Sequence, residues 1–129
     1  MDIRKRYIIP GGAEEVWQAL TDVRAIEAWG AGPAEMEPVA GGRFSLWGGD
    51  IHGTNTELVP GRMLAQDWYG GDWDEPSKVT FTIEEFPGGT ALDLVQSGVP
   101  EPLLTDFDRG WDDYYLGPLR EHVAIDEEE

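Results

Sequence analysis

Turn signals that recur about every ten residues between positions 35 and 96 constrain this chain more than any other feature of its sequence. Glycine pairs stand at 41–42, 48–49 and 70–71, and Pro-Gly steps stand at 60–61 and 87–88. The segments between them are short, and in KVTFTIEEF apolar and polar residues alternate. This pattern is typical of strands joined by tight turns in an antiparallel meander. We therefore predict a multistranded antiparallel sheet.

Helical patterns flank the sheet region on both sides. Residues 3–9 (IRKRYII) predict a first strand that ends at Pro-Gly-Gly. Residues 13–20 (AEEVWQAL) and 23–29 (VRAIEAW) predict two short helices, the first with acidic residues in its first turn and the second ending at Gly30. Strands after helices, with one long helix last, indicate an α+β fold.

Residues 103–123 predict the long C-terminal helix, and no other segment is long enough to cover one face of the sheet. At about 100° per residue, its apolar residues share one side of the helix. The Gly117-Pro118 step predicts a bend, because proline removes one helical hydrogen bond. We expect the helix to close over a cavity, although an aromatic stripe also suits plain core packing. The stripe consists of Leu104, Phe107, Trp111, Tyr114 and Pro118.

Alternation along the strands predicts which side chains line that cavity. If the faces of Ile51 and Trp68 point inward, they carry Asn55, Glu57 and Gln66 as polar groups in an apolar pocket. The alternative is that these three pair with the backbone or with one another, and a one-residue bulge would reverse the assignment. Trp47 and Trp73 are further wall or rim candidates. The predicted cavity residues are Trp29, Phe44, Ile51, Asn55, Glu57, Gln66, Trp68, Phe81, Leu94, Phe107, Trp111, Tyr114 and Tyr115.

Signatures of catalysis and of cofactor binding are sparse. The chain has two histidines and no cysteine, which excludes disulfides and thiolate metal sites. It has no phosphate-binding glycine loop, nucleophile elbow or histidine pair with zinc-ligand spacing. We therefore expect no cofactor and no metal, and we favour binding over catalysis. If the protein is an enzyme, Glu57 or His52 would transfer protons, although His52 alternates with the cavity residues and is expected to face outward.

The charge of the chain restricts its partners. With 26 acidic and nine basic residues the net charge is −17, which repels nucleic acid and anionic membranes. No apolar run of about 18 residues and no signal peptide are present, so we expect a cytoplasmic protein. The acid excess suits either a salt-adapted host or simple solubility. Melting in low and in molar salt distinguishes the two, since only the first gives higher stability in salt.

Three groups of residues carry a resemblance to a known family. They are VWQALTD (16–22) with Trp29, the pattern GG.F......I.G...EL.PG (41–61), and GW..YYL..L (110–119). Together they resemble the activator of heat-shock protein 90 ATPase homologue family, within the START-related, polyketide-cyclase-like and Bet v-like helix-grip superfamily. SGVPE (97–101) and the Trp68 and Trp73 pair resemble the carboxy-terminal domain of the co-chaperone activators.

The resemblance implies one helix-grip domain over residues 1–129. In this fold a curved antiparallel sheet grips a long C-terminal helix, and two short helices follow the first strand. Such folds often hold an apolar tunnel, so the first functional hypothesis is the binding of a hydrophobic or aromatic small molecule. The second is a co-chaperone that acts on heat-shock protein 90. It ranks second because we expect the chain to lack the family's amino-terminal domain, which in the family supplies much of the chaperone contact. The third is a cyclase or dehydratase.

Overall fold

The predicted sheet is present as seven antiparallel strands in the order β1-β7-β6-β5-β4-β3-β2. The computed structural model describes residues 2–70 and 73–128. The first strand and the antiparallel meander between residues 35 and 97 are both present, and the sheet is curved. The strands are β1 (Ile3–Ile9), β2 (Glu35–Met36), β3 (Arg43–Leu46), β4 (Ile51–Val59), β5 (Met63–Gly70), β6 (Ser77–Phe86) and β7 (Gly89–Ser97).

Two short helices follow β1 at the predicted positions, α1 (Ala13–Thr21) and α2 (Val23–Trp29). The Asp22 carboxylate caps α2 by accepting a hydrogen bond of 2.9 Å from the backbone N–H of Arg24. Gly30 ends α2 with φ of 117°, in the left-handed region that favours glycine. Helix α1 contacts β6 and β7, and both helices contact the C-terminal helix.

The C-terminal segment covers the inner face of the sheet, which confirms the predicted architecture. After a 3-10 turn at Glu101–Leu103 it forms α3 (Leu104–Gly110), a π-helical segment (Trp111–Leu116) and α4 (Gly117–Glu128). Among residues 2–70 and 73–128, no helix has the length and apolar character needed to cross a membrane.

The irregularity at Gly117-Pro118 takes the form of the π segment. Proline at 118 has no N–H for the Tyr114 carbonyl, and its ring would crowd that carbonyl in a regular α-helix. The wider π turn accommodates it: the Gly117 N–H donates to the Asp112 carbonyl, five residues back. A Cβ at position 117 would overlap that carbonyl oxygen, so the turn requires glycine there.

The π segment corrects the predicted helical face. A π turn contains one residue more than an α turn, and each residue of a helix rotates the side-chain direction by about 100°. The residues that face the sheet after the π turn are therefore displaced by one position along the sequence. Tyr115 is therefore buried at 3% exposure, whereas Tyr114, predicted to face inward, is 66% exposed. Leu116 and Leu119 are fully buried for the same reason.

A polar cluster joins the π segment to β1. The Tyr7 hydroxyl donates to Asp112 Oδ1 at 2.6 Å, and Lys5 Nζ lies 2.9 Å from Asp112 Oδ2 and 3.1 Å from Asp108 Oδ1. Desolvation by itself would raise the pKa of Asp112, but the hydrogen bonds from Tyr7 and Lys5 outweigh it, so this pKa lies below its ordinary value. The Asp112 side chain thus holds the residue whose carbonyl closes the π turn.

A bulge in β4 corrects the predicted face of Glu57. Asn55 pairs with Gln66 and Glu57 pairs with Ala65, so Thr56 is the extra residue. Asn55 still faces inward and is fully buried, whereas Glu57 lies exposed on the outer face. Leu58 takes the inward position after the bulge and packs against the core. The prediction that Glu57 lines the cavity is therefore wrong, because one extra residue reverses the alternation.

Because of the π turn, alanine substitutions at two glycines of the C-terminal helix are expected to change the free energy of unfolding in opposite directions. Gly117→Ala is expected to destabilise the fold by about 1–3 kcal/mol, because its Cβ overlaps the Asp112 carbonyl. Gly110→Ala, whose Cβ meets only the Tyr114 side chain at 3.9 Å, is expected to stabilise the fold by about 0.5–1 kcal/mol. Urea unfolding of both variants measures the difference. Equal changes in the free energy of unfolding would contradict the requirement for glycine at 117.

Candidate ligand cleft

A cluster of stacked rings fills the space between the sheet and the C-terminal helix. Trp111 of the π segment is at its centre, with its ring centroid 4.7 Å from that of Trp68 and 4.8 Å from that of Tyr115. Phe81 of β6 packs against both helical rings, at 5.8 and 5.5 Å. Trp29 of α2 lies 4.7 Å from Tyr115. The rings come from the sheet, α2 and the π segment, so the cluster joins all three.

Two hydrogen-bonded chains fix the tryptophans of this cluster. Trp111 Nε1–H donates to Gln96 Oε1 at 2.7 Å, and Gln96 Nε2 donates to Ser77 Oγ at 3.0 Å. Ser77 Oγ donates in turn to the Trp68 carbonyl at 3.3 Å. The indole of Trp111 is therefore oriented by a fully buried amide on β7.

The second chain begins at the other tryptophan. Trp68 Nε1–H donates to Gln66 Oε1 at 2.8 Å, and Gln66 Nε2 donates to Asn55 Oδ1 at 2.8 Å. Asn55 Nδ2 donates to the Glu37 carbonyl at 2.7 Å. Asn55 and Gln66 thus pair with each other, Asn55 also with the backbone and Gln66 with Trp68, and neither lines the cleft described next.

One cleft remains beside the ring cluster, with a volume of about 350 Å³. Its walls are almost entirely apolar and come from the C-terminal helix, β4, β5 and the turn before β4. Exposed Asp106 and Tyr114 stand at its mouth, and buried Trp68, Trp111 and Tyr115 form its floor. The lining residues are Trp47, Ile51, Trp68, Asp106, Phe107, Gly110, Trp111, Tyr114 and Tyr115.

The structure separates the predicted cavity residues into three groups. Six of them line the cleft: Ile51, Trp68, Phe107, Trp111, Tyr114 and Tyr115. Six are buried in the core away from it: Trp29, Phe44, Asn55, Gln66, Phe81 and Leu94. Glu57 lies outside. The rim candidate Trp47 lines the cleft, whereas Trp73 packs on Phe107 with centroids 5.3 Å apart.

The sequence analysis missed two lining residues, Asp106 and Gly110. They precede Tyr114 at intervals of four residues, so the three form one row along the helix beside the cleft. This four-residue spacing is the sequence signal for both residues. The apolar stripe does not include them, because one is charged and the other is glycine.

Neither candidate acid–base group faces the cleft. His52 is exposed on the outer face of the sheet, where its ring stacks on Tyr69 with centroids 5.5 Å apart. Glu57 lies on the same outer side because of the bulge. Within the described part of the chain, no group of three or more His, Cys, Asp or Glu residues is arranged to hold a metal ion.

Comparison with known proteins agrees with this architecture. Residues 12–124 match the family model described as "Activator of Hsp90 ATPase homolog 1-like protein". The chain belongs to this family. The match covers strands β2 to β7, both short helices and most of the C-terminal helix.

Proteins of different lengths resemble this chain. The activator of 90 kDa heat shock protein ATPase homolog 1 from mouse is 29% identical over 84% of this chain, and the chain spans only 32% of that protein. A crystal structure of an HSP90 activator from Plasmodium falciparum is 26% identical with a TM-score of 0.84, over 91% of both chains. A Mesorhizobium loti protein is 25% identical with a TM-score of 0.85, over 100% of this chain and 99% of its own.

The chain of hydrogen bonds at Trp111 makes a prediction about stability. Gln96→Leu is expected to cost about 1–3 kcal/mol, because the buried indole N–H of Trp111 loses its acceptor. In a Trp111→Phe background the same substitution is expected to cost distinctly less, because no indole N–H remains to be satisfied. Urea unfolding of the two single variants and the double variant gives the coupling. Equal costs in both backgrounds would show that the hydrogen bond does not contribute.

Proposed function

We propose that this domain binds a flat hydrophobic or aromatic small molecule in the cleft between the sheet and the C-terminal helix. The observation that carries the proposal is an apolar cleft of about 350 Å³ walled by aromatic rings. Small-molecule sites of proteins are usually apolar hollows of roughly 300–1,000 Å³ with few polar groups. A flat molecule suits this site because ring faces bind best by offset or edge-to-face stacking.

The walls of the cleft are preorganised, which supports the proposal. Trp68 and Trp111 are held by Gln66 and Gln96, and Trp47 Nε1–H donates to the Gly30 carbonyl at 3.1 Å. Side chains that are already ordered lose little conformational entropy when a ligand arrives. A ligand would also remove apolar ring surface from water, at about 25 cal/mol per Å².

Cleft filling tests the proposal. Gly110 lines the cleft, and a Cβ built there meets only the Tyr114 side chain, at 3.9 Å, so Gly110→Leu is expected to extend its side chain into the cleft. The neutral dye N-phenyl-1-naphthylamine, which fluoresces in apolar surroundings, is expected to bind the wild-type chain and to bind this variant about tenfold more weakly or not at all.

The matched control is Arg109→Leu, which adds the same side chain on the exposed side of the same helix. It is expected to leave dye binding unchanged. Absence of dye enhancement with the wild-type chain, or equal enhancement with Gly110→Leu, would contradict binding in the cleft.

A second candidate function is interaction with heat-shock protein 90. The crystal structure of an HSP90 activator from Plasmodium falciparum supports it, because it matches 91% of this chain and 91% of its own chain at 26% identity.

A direct assay tests the second candidate. If the chain acts on the chaperone, ATP turnover by purified heat-shock protein 90 is expected to rise when the chain is added. ATP turnover in the presence of an inhibitor of the chaperone gives the background to be subtracted. Because the chain carries a net charge of −17, an electrostatic contact would weaken as salt is raised. Unchanged turnover together with no co-elution would contradict the interaction.

A further inference from the structure

Tyr115 forms part of the floor of the cleft, and its hydroxyl has no hydrogen-bond partner among residues 2–70 and 73–128. Its side chain is 3% exposed, and its ring is held by neighbouring rings on several sides. Its ring contacts the rings of Trp29, Trp47, Trp68, Phe81 and Trp111, and among the described residues its hydroxyl takes part in no hydrogen bond. Tyrosine hydroxyls that are buried usually have a hydrogen-bond partner.

The Tyr115 hydroxyl is not completely enclosed. Among the described residues, no side-chain oxygen or nitrogen that is completely enclosed lacks a hydrogen-bond partner. The Tyr115 oxygen has no partner among these residues, so a small part of its surface is accessible. Tyr115 is also one of the residues that line the cleft, whose walls are otherwise almost entirely apolar.

We infer that the ligand of this cleft is an uncharged, flat aromatic molecule with a carbonyl oxygen, and that this oxygen accepts a hydrogen bond from the Tyr115 hydroxyl. The inference rests on the proposed binding function and adds the chemical class of the ligand to it. A phenol is a strong hydrogen-bond donor and a weak acceptor, because its oxygen lone pair is delocalised into the ring. An acceptor atom on the ligand is therefore the better match.

Burial keeps Tyr115 in its donor form. The low-polarity surroundings raise the pKa of the Tyr115 phenol above its ordinary value, because they disfavour the phenolate. The hydroxyl therefore keeps its proton throughout the neutral pH range. An aromatic hydrocarbon would leave this O–H unsatisfied in a site from which it displaces water, whereas a carbonyl would replace that water.

Charge excludes a carboxylate as the acceptor. None of the nine Lys and Arg residues of the chain is among the lining residues, and the single charged side chain there is that of Asp106 at the mouth. An anionic ligand would lose its hydration without gaining a cation, and it would approach a protein of net charge −17. The neutral carbonyl is the acceptor that avoids both costs.

Three naphthalene derivatives of similar size test this inference. 2-Acetylnaphthalene has the carbonyl, 2-isopropenylnaphthalene has a CH2 group in place of its oxygen, and 2-naphthoate is the anion. Dissociation constants from ligand-observed NMR titrations are expected to be about fivefold to tenfold lower for the ketone than for the isopropenyl compound. The naphthoate is expected to bind most weakly.

Variants assign the difference to one hydroxyl. Tyr115→Phe removes only that oxygen, and it is expected to abolish the ketone preference while leaving the affinity for 2-isopropenylnaphthalene unchanged. Tyr69→Phe is the matched control, because Tyr69 lies on the outer face of the sheet against His52, and it is expected to keep the preference. Melting curves of both variants verify that each is folded.

The outcomes separate this inference from the proposed function. Equal binding of the ketone and the isopropenyl compound by the wild-type chain, or a preference that survives in Tyr115→Phe, would overturn the role of the hydroxyl and leave binding in the cleft intact. Tighter binding of the naphthoate would overturn the charge argument. If none of the three compounds binds, and the neutral dye does not bind either, the proposed function and the inference both fail.

Discussion

Stacking of Trp111 on Trp68 joins the long C-terminal helix to the sheet, and the other features of the molecule depend on this contact. The two indoles bring a helix and a strand together at a centroid distance of 4.7 Å. Each indole N–H is satisfied by a glutamine from the sheet, so both rings are fixed in orientation as well as buried. The floor of the cleft is the part of this stack that the helix leaves uncovered.

The π segment decides which aromatic residues face the sheet and which face the cleft mouth. Along this segment Tyr115 enters the ring cluster, whereas Tyr114 stays exposed at the mouth of the cleft. π segments are frequent at functional sites, since the wider turn reorients side chains at a small cost in helix stability. Here the reoriented residue is the tyrosine that forms part of the floor of the cleft.

The sequence predicted the elements of the fold closely because their signals are local. Pro10-Gly11-Gly12, Gly30 and the Pro-Gly steps end strands and helices through the backbone conformations that those residues favour. The inward faces of β5 and β6 also followed from alternation, as with Leu64, Gln66 and Trp68. In a strand with a strict period of two residues, alternation predicts correctly which side chains face inward, provided that no residue is inserted.

The sequence by itself therefore determined the family, the order of the strands and helices along the chain, and the sheet that needs a covering helix. The tertiary structure alone decided which side chains face inward after each inserted residue. The bulge at Thr56 turned Glu57 outward, and the π turn at Gly117 exchanged Tyr114 for Tyr115. Contacts between distant segments hold both regions in place, such as Asn55 with the Glu37 carbonyl and Asp112 with Lys5 and Tyr7. A periodic pattern contains no record of such contacts, because it describes only neighbours along the chain.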